Sequence, residues 1–198
     1  MRPSHSKLRG CIRAGVLGLI LSPALASQQA GPLDSAPLVH PAQGTLQAAF
    51  SPWDDVEALV VKTIDAAQVQ VLLQAYLLTS RIIARSLVAA HQRGIDVRVL
   101  ADEVQSHGES SRLGQLVASG IPVWLETRYQ NAHNKVIVVD AAGASPVVVT
   151  GSYNFTWAAQ HKNAENILIV RQNPALATRY AANWERHRTE AVAYPPFP

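Results

Sequence analysis

His133-Asn134-Lys135-Val136-Ile137-Val138-Val139-Asp140, followed by Gly151-Ser152-Tyr153-Asn154, decides how the rest of the chain is read. After its first residue, Lys135 to Val139 is apolar and β-branched, the composition of a buried strand. Side chains alternate faces along a strand, so His133 and Lys135 point the same way. Asp140, seven positions from His133, faces the opposite side at the strand's end. Val147 to Thr150 is a second β-branched run. The loop Ala141-Ala142-Gly143-Ala144-Ser145-Pro146 joins it to the first, which predicts a hairpin or a close pair of strands. Ser152 and Asn154, again two apart, emerge together beyond the second strand. Two strand ends thus bring His, Lys, Ser and Asn to one place. They are a nucleophile, a fixed cation and neutral hydrogen-bond donors around a space that suits a phosphate. By average residue usage the combined pattern arises by chance in roughly one chain of this size in ten thousand.

The same alternation of elements extends outward. Asp54 and Asp55 open an amphipathic helix to about Ala67, and acidic residues suit a helix N-terminus. Val69 to Ala75 reads as a strand. Thr79 or Ser80 caps a second helix that Gly94 ends. Ile95 to Ala101 is a strand, Ser110 to Ser119 a short helix, and Ile121 to Leu125 a strand. Ala164 to Val170 is the last strand, and Pro174 starts a helix to about Arg188. This pattern predicts one α/β domain over 44–190, a mixed β-sheet sandwiched by helices. Residues 27–43, rich in Pro, Ala, Gln and Gly, read as a flexible lead-in, and 191–198 as a tail, docked or loose.

The start of the chain changes the meaning of its composition. Arg2, Lys7, Arg9 and Arg13 precede the apolar run Ala14 to Leu21, and Ala24-Leu25-Ala26 supplies small residues for cleavage. Residues 1–26 therefore read as a secretory signal peptide, too short for a membrane span, and the mature chain is expected to be periplasmic or secreted without stable membrane insertion. The whole chain has 17 Lys and Arg against 14 Asp and Glu. Cleavage near Ala26 removes four basic and no acidic residues, leaving 13 against 14, a net charge of −1. Net charge thus gives no support for nucleic-acid binding; only a local basic cluster could. Cys11, the single cysteine, goes with the leader, so no disulfide, metal thiolate or thiol nucleophile is expected. The acidic residues form no obvious two-metal cluster and zinc spacings are absent, so no metal or other cofactor is expected.

The His-Lys-Asp pattern resembles the HKD motif of the phospholipase D superfamily, and the likeness covers about Leu46 to Arg188. Phe50-Ser51-Pro52 before a helix, Ala75-Tyr76 closing a strand and Arg93-Gly94-Ile95-Asp96-Val97-Arg98-Val99-Leu100 all resemble single-motif bacterial endonucleases of the Nuc type. So do Gly151-Ser152-Tyr153-Asn154-Phe155-Thr156 and Asn163-Ala164-Glu165-Asn166. One departure is visible: ten residues separate Asp140 from Gly151, a longer interval than is usual in that family, which predicts a longer hairpin tip and an intact site. The resemblance implies the phospholipase D/nuclease fold. It also implies hydrolysis of a phosphodiester in which a motif histidine attacks phosphorus and water cleaves the resulting phosphohistidine.

His133 is the candidate nucleophile, and a carboxylate on its other ring nitrogen would fix its tautomer. The resemblance gives Glu165 that role; from the residues alone Glu165 would be a surface strand residue. Lys135 would neutralise phosphate oxygens, while Ser152 and Asn154 hydrogen-bond the charge developing in the transition state. For Ser152 and Asn154 the alternative is turn chemistry after Gly151. Asp140 and Gly151 are assigned to structure, Asp140 because strand alternation aims it away from the phosphate.

A leaving oxygen needs a proton, and His133 cannot be nucleophile and free acid on the same phosphate. His40, His91, His107, His161 and His187 occupy no comparable setting. The economical solution is a homodimer that places two copies of His133 across one active site at the subunit interface, as the single-motif resemblance also implies.

The expected substrate is DNA or RNA, cleaved without metal and with little sequence preference. Lys135, Arg128, Lys162 and Arg112 would meet backbone charge, and Tyr129, Tyr153, Phe155 or Trp157 would stack bases. Core packing is the favoured reading for Phe155 and Trp157. The alternatives are a phospholipase D-type lipid phosphodiesterase, or an inactive module that kept the phosphate pocket. No amphipathic apolar face for a membrane surface is visible.

Overall fold

A computed structural model describes residues 41–195, with Met1 and Val39, and the fold lies in the compact unit Pro32–Pro198. Apart from Met1, the expected signal peptide lies outside the described residues, as do most of the lead-in and the last three residues of the tail. In chain order the elements are β1 (Thr45–Ser51), α1 (Val56–Asp65), β2 (Gln70–Ala75), α2 (Arg81–Gln92), β3 (Asp96–Asp102), α3 (Glu103–Ser106) and α4 (Leu113–Ala118). Then follow β4 (Val123–Glu126), β5 (Lys135–Val139), β6 (Val147–Gly151), α5 (Trp157–His161), β7 (Glu165–Arg171), α6 (Pro174–Glu190) and β8 (Val192–Ala193). The expected α/β class and mixed sheet are what the chain adopts.

All the strands form one eight-stranded sheet in the order β1-β7-β6-β5-β2-β3-β4-β8. β2, β3 and β4 run parallel, linked by helical crossovers, and every other pairing is antiparallel. β5 lies between β6 and β2, and all five of its residues are buried. Its apolar residues therefore split by parity between two cores. Ile137 and Val139 pack with α1, α2 and α4 on one face. Val136 and Val138 join Trp184 and Ala177 of α6 on the other. A strand covered on both faces needs a near-continuous apolar run, which is why this segment reads so clearly. Across the sheet, the buried Trp184 indole donates to the Leu73 carbonyl at 3.0 Å.

The helix starts follow from local hydrogen bonding. Asp55 accepts from the Ala58 amide at 3.0 Å, and Ser80 accepts from the Ile83 amide at 3.1 Å. Asn173 accepts from Leu176 at 3.1 Å with Pro174 at the first helical position. Three elements have no counterpart in the sequence reading: β1, α3 and β8. β1 leaves Leu46 and Phe50 exposed and buries only Ala49 and Ser51, so its pattern is weak. It is a strand because β7 pairs with it along its whole length. The tail is docked where it is described: Val192–Ala193 pairs with Trp124 and Leu125, and the Tyr194 amide donates to Val123 O at 2.9 Å.

The topology gathers the candidate residues of the sequence at one end of the sheet. The carboxyl ends of β2, β3, β4, β6 and β1 lie at the same edge as the amino ends of β5 and β7, as the pairs Ala75↔Lys135, Gly151↔Ile167 and Ser51↔Glu165 require. The chain reverses its strand order between β2 and β5, and ligand crevices in open α/β sheets form at such a switch. The loop 127–134 crosses that edge from β4 to β5, passing the ends of β3 and β2.

Candidate active site

Lys135 is the first residue of β5, and His133 is the last-but-one residue of the crossing loop. The Lys135 side chain is buried, and its ammonium donates to the His133 carbonyl at 2.7 Å. His133 itself is exposed at the edge, with its ring packed on Tyr76 at 4.3 Å between centroids. The Lys135 ammonium also stands 4.8 Å from the centroid of the Tyr76 ring. Tyr76 thus serves as a shared platform for the cation and the imidazole. It is held in turn by its amide donating to Asn134 O at 2.9 Å and by Gln105 Nε2 donating to its hydroxyl at 3.1 Å. The sequence reading quoted Tyr76 as part of the resemblance and missed this contact; nothing in a lone strand-end tyrosine signals it.

The loop beneath His133 has a second anchor. Asp102, at the end of β3 and almost fully buried, caps α3 by accepting from Gln105 N at 2.9 Å. Its other oxygen accepts from the Ala132 amide at 2.7 Å, one residue before His133. Near the base of the loop, Glu126 is buried against Gln74 and accepts from His187 Nδ1 at 2.6 Å.

Ser152 and Asn154 follow β6 in a segment whose alternate residues are anchors. Tyr153 and Phe155 are buried in the core. The Phe155 carbonyl accepts from Thr79 and Ser80 at 3.0 and 2.9 Å, and its amide donates to Leu77 O at 3.1 Å. With the odd positions nailed inward, Ser152 and Asn154 turn together toward the edge. The Ser152 hydroxyl accepts from the amide of Asn166 at 3.1 Å and from its side chain at 3.3 Å. Asn154 Oδ1 and the Tyr153 hydroxyl are buried with no hydrogen-bond partner among the described residues. Burial, with Glu57, Asp55 and Glu165 nearby, pushes the Tyr153 phenol well above its ordinary range. Gly151 makes the junction possible, because a Cβ there would run into the carbonyl oxygen of Asn166 on the adjacent strand.

Glu165 opens β7 on the same edge, near enough to Lys135 for its charge to oppose the lowering of the lysine pKa by burial. The expected hydrogen bond between Glu165 and the His133 ring is not formed; Glu165 Oε1 accepts instead from Asn163 Nδ2 at 2.9 Å. Asp140 lies elsewhere. It closes the far end of β5, about 17 Å from Lys135 at the rise of an extended strand. Its carboxylate accepts from the amides of Gln68, Val69 and Gln70 at 2.9, 2.8 and 2.8 Å, and its backbone sits at φ 49°. Seven residues, Asp140 to Pro146, form the hairpin tip between Val139 and Val147, which are paired.

The remaining candidates separate by exposure. Arg128 is ion-paired to Glu190 at 3.1 Å, and Arg112 donates to the Thr79 carbonyl at 3.3 Å. Tyr153 is fully buried and cannot stack on a base, while Tyr129 packs against His187. Phe155 is in the core, as favoured. Trp157 is not: it is 58% exposed, because the buried side of its short helix is taken by Ala159 and Gln160.

Burial lowers the pKa of Lys135, and the Glu165 charge opposes that shift. The folded protein therefore holds this proton less tightly than the unfolded chain does. Stability contributed by the group rises as pH climbs from the folded pKa toward the ordinary lysine range. Lys135→Met is expected to reduce turnover by roughly 10²–10³-fold, the scale for losing one charge-stabilising group. In melting curves across alkaline pH, wild type should gain on Lys135→Met as pH increases. A difference moving the other way would mean that the fold favours the ammonium.

A family model described as "Cardiolipin synthase, PLD-like domain" matches residues 60–188. Phospholipase D of Rickettsia prowazekii (strain Madrid E) is 32% identical over 151 residues, 76% of this chain and 71% of that protein. Mitochondrial cardiolipin hydrolase of Xenopus tropicalis is 35% identical over 104 residues, 52% of this chain and 47% of that protein. Among solved structures, Nuc from Salmonella typhimurium, a phospholipase D family member, superposes with a TM-score of 0.72 at 34% identity. That match covers 77% of this chain and 99% of Nuc. With the sheet, the strand-end His and Lys, and these matches agreeing, the chain belongs to the phospholipase D superfamily of phosphodiesterases.

Proposed function

We propose that the protein is an exported, metal-independent endonuclease that cleaves DNA or RNA through a phosphohistidine on His133. The observation that carries this reading is the exposed His133, seated on Tyr76 beside buried Lys135 at an open sheet edge. An open edge lets a polymer backbone pass through and lets a second copy of the chain face the same phosphate. One His133 attacks phosphorus as the bond to the leaving oxygen breaks, and the second His133 gives that oxygen its proton. Water, deprotonated by the second histidine, then cleaves the N–P bond and frees the first. Lys135, Ser152 and Asn154 bind the phosphate oxygens, and Glu165 acts on the imidazole once substrate draws the site together. Asp140 and Gly151 hold the frame. No three His, Cys, Asp or Glu side chains among the described residues are grouped as a cation site.

The second reading is a lipid phosphodiesterase, favoured by the names of the Rickettsia and Xenopus relatives. The length-spanning match to Nuc and the resemblance to single-motif endonucleases weigh toward nucleic acid. The test is incubation of the mature protein with plasmid, single-stranded RNA and phosphatidylcholine vesicles in excess EDTA. Cleavage of the nucleic acids alone is expected. Release of choline without nicking would establish the lipid reading, and activity restored only by magnesium would overturn the metal-independent mechanism.

A further inference from the structure

We propose that Trp157, flanked by His161 and Lys162, is a stacking subsite for an unpaired nucleobase of the strand whose phosphate lies at His133. This inference rests on the nucleic-acid reading above. Trp157 is 58% exposed although it follows Asn154 by only three residues and belongs to a helix clamped from beneath. The Gln160 side chain donates to Asp54 O at 2.9 Å and accepts from Glu57 N at 3.0 Å, and Ala159 O accepts from the Ser51 hydroxyl at 2.7 Å. These bonds leave the opposite side of α5 to present its indole outward. The His161 ring packs on the indole at 4.8 Å, and the Lys162 ammonium stands 5.8 Å from its centroid. The ring is thus held in place before any ligand arrives, which lowers the ordering cost of binding.

Position and charge select the occupant. Trp157 follows Asn154 by three residues, so their Cα atoms are at most about 11 Å apart. The Thr156 amide, donating to Asn154 O at 2.8 Å, tightens the link. A strand whose phosphate is held by Asn154 would carry a neighbouring base across a separation of that order. Lys162 complements the strand's negative backbone, and an aromatic face accepts any base through its π-surface. The surface is extended by Trp53, 83% exposed, on the turn whose Asp54 carbonyl α5 holds. A lipid surface is the poorer occupant. α5 has five residues and no apolar stripe, and although Phe50 and Trp53 are also exposed, they are interrupted by the polar, exposed Asn163, Asn166, Ser152 and the charged Lys162.

The experiment uses the full mature chain in a non-cleaving His133→Ala background. Fluorescence anisotropy would give Kd for a short oligothymidine strand and for an equal-length strand carrying abasic sites. Trp157→Ala is expected to weaken oligothymidine binding about tenfold, with little effect on the abasic strand, while Trp157→Phe keeps most of the affinity. Equal affinity of the Ala variant and its parent for oligothymidine overturns the proposal. So does an equal loss on both strands. A third overturning result is loss of binding to phosphatidylglycerol vesicles with oligothymidine binding unchanged, which would make the ring a lipid anchor. If wild type cleaves plasmid and RNA but Trp157→Ala binds normally, only the stacking assignment falls. If wild type cleaves neither, the nuclease reading falls and this inference with it.

Discussion

His133→Ala is expected to reduce phosphodiester cleavage by roughly 10⁴-fold or more, the scale for removing a covalent nucleophile or proton donor. The substitution touches an exposed ring at the sheet edge, so the variant folds and melts close to wild type. If each active site needs His133 from two copies, mixing has a distinctive signature. Equal amounts of wild type and His133→Ala, exchanged into random dimers, retain about a quarter of the wild-type activity; independent subunits would retain about a half. Light scattering of the same samples reports the assembly. A fully active monomer, or activity that falls only in proportion to wild-type content, would remove the shared-site reading. A His133→Ala protein with substantial turnover would remove the nucleophile assignment itself.

Asp140→Ala has the largest effect of the opposite kind, on folding. It strips the acceptor from three backbone amides, those of Gln68, Val69 and Gln70, at a turn that is only partly buried. A fully buried donor left unsatisfied costs about 1–3 kcal/mol; with water able to reach part of this turn, the substitution is expected to cost roughly 2–3 kcal/mol in urea unfolding. That is a large share of the 5–15 kcal/mol typical of a domain, and expression should fall with it. Asp140→Asn keeps one oxygen acceptor and turns its amide toward a donor, so it should be milder but still unstable. What folds should retain normal turnover per molecule, because Asp140 stands at the far end of β5 from Lys135. Turnover abolished in fully folded Asp140→Asn, as completely as in His133→Ala, would return this carboxylate to the chemistry.

The contrast shows which parts of the site were legible. His133, Lys135, Ser152 and Asn154 could be placed on one side because strand alternation is local, and Asp140 could be sent away by the same parity. Glu165 was legible only through family resemblance, since its neighbours in space are far from it in sequence. Tyr76 and the Asp102 contact with Ala132 were out of reach for a related reason. They join strand ends that meet only because β5 inserts beside β2. Trp157 was misread as core because composition cannot say which side of a short helix a tertiary clamp will claim.

The sequence by itself determined the α/β class, the buried strand, the pairing of a histidine with a lysine and, through the resemblance of its motifs, the superfamily. The first three follow from side-chain period and residue chemistry, which are properties of neighbours along the chain. Only the tertiary structure decided that Tyr76 carries both His133 and Lys135, that Asp140 braces the opposite end of the sheet, and that an indole stands open beside the site. Each depends on which strand ends are brought to one edge, and that is set by the packing of two cores against the two faces of a single sheet.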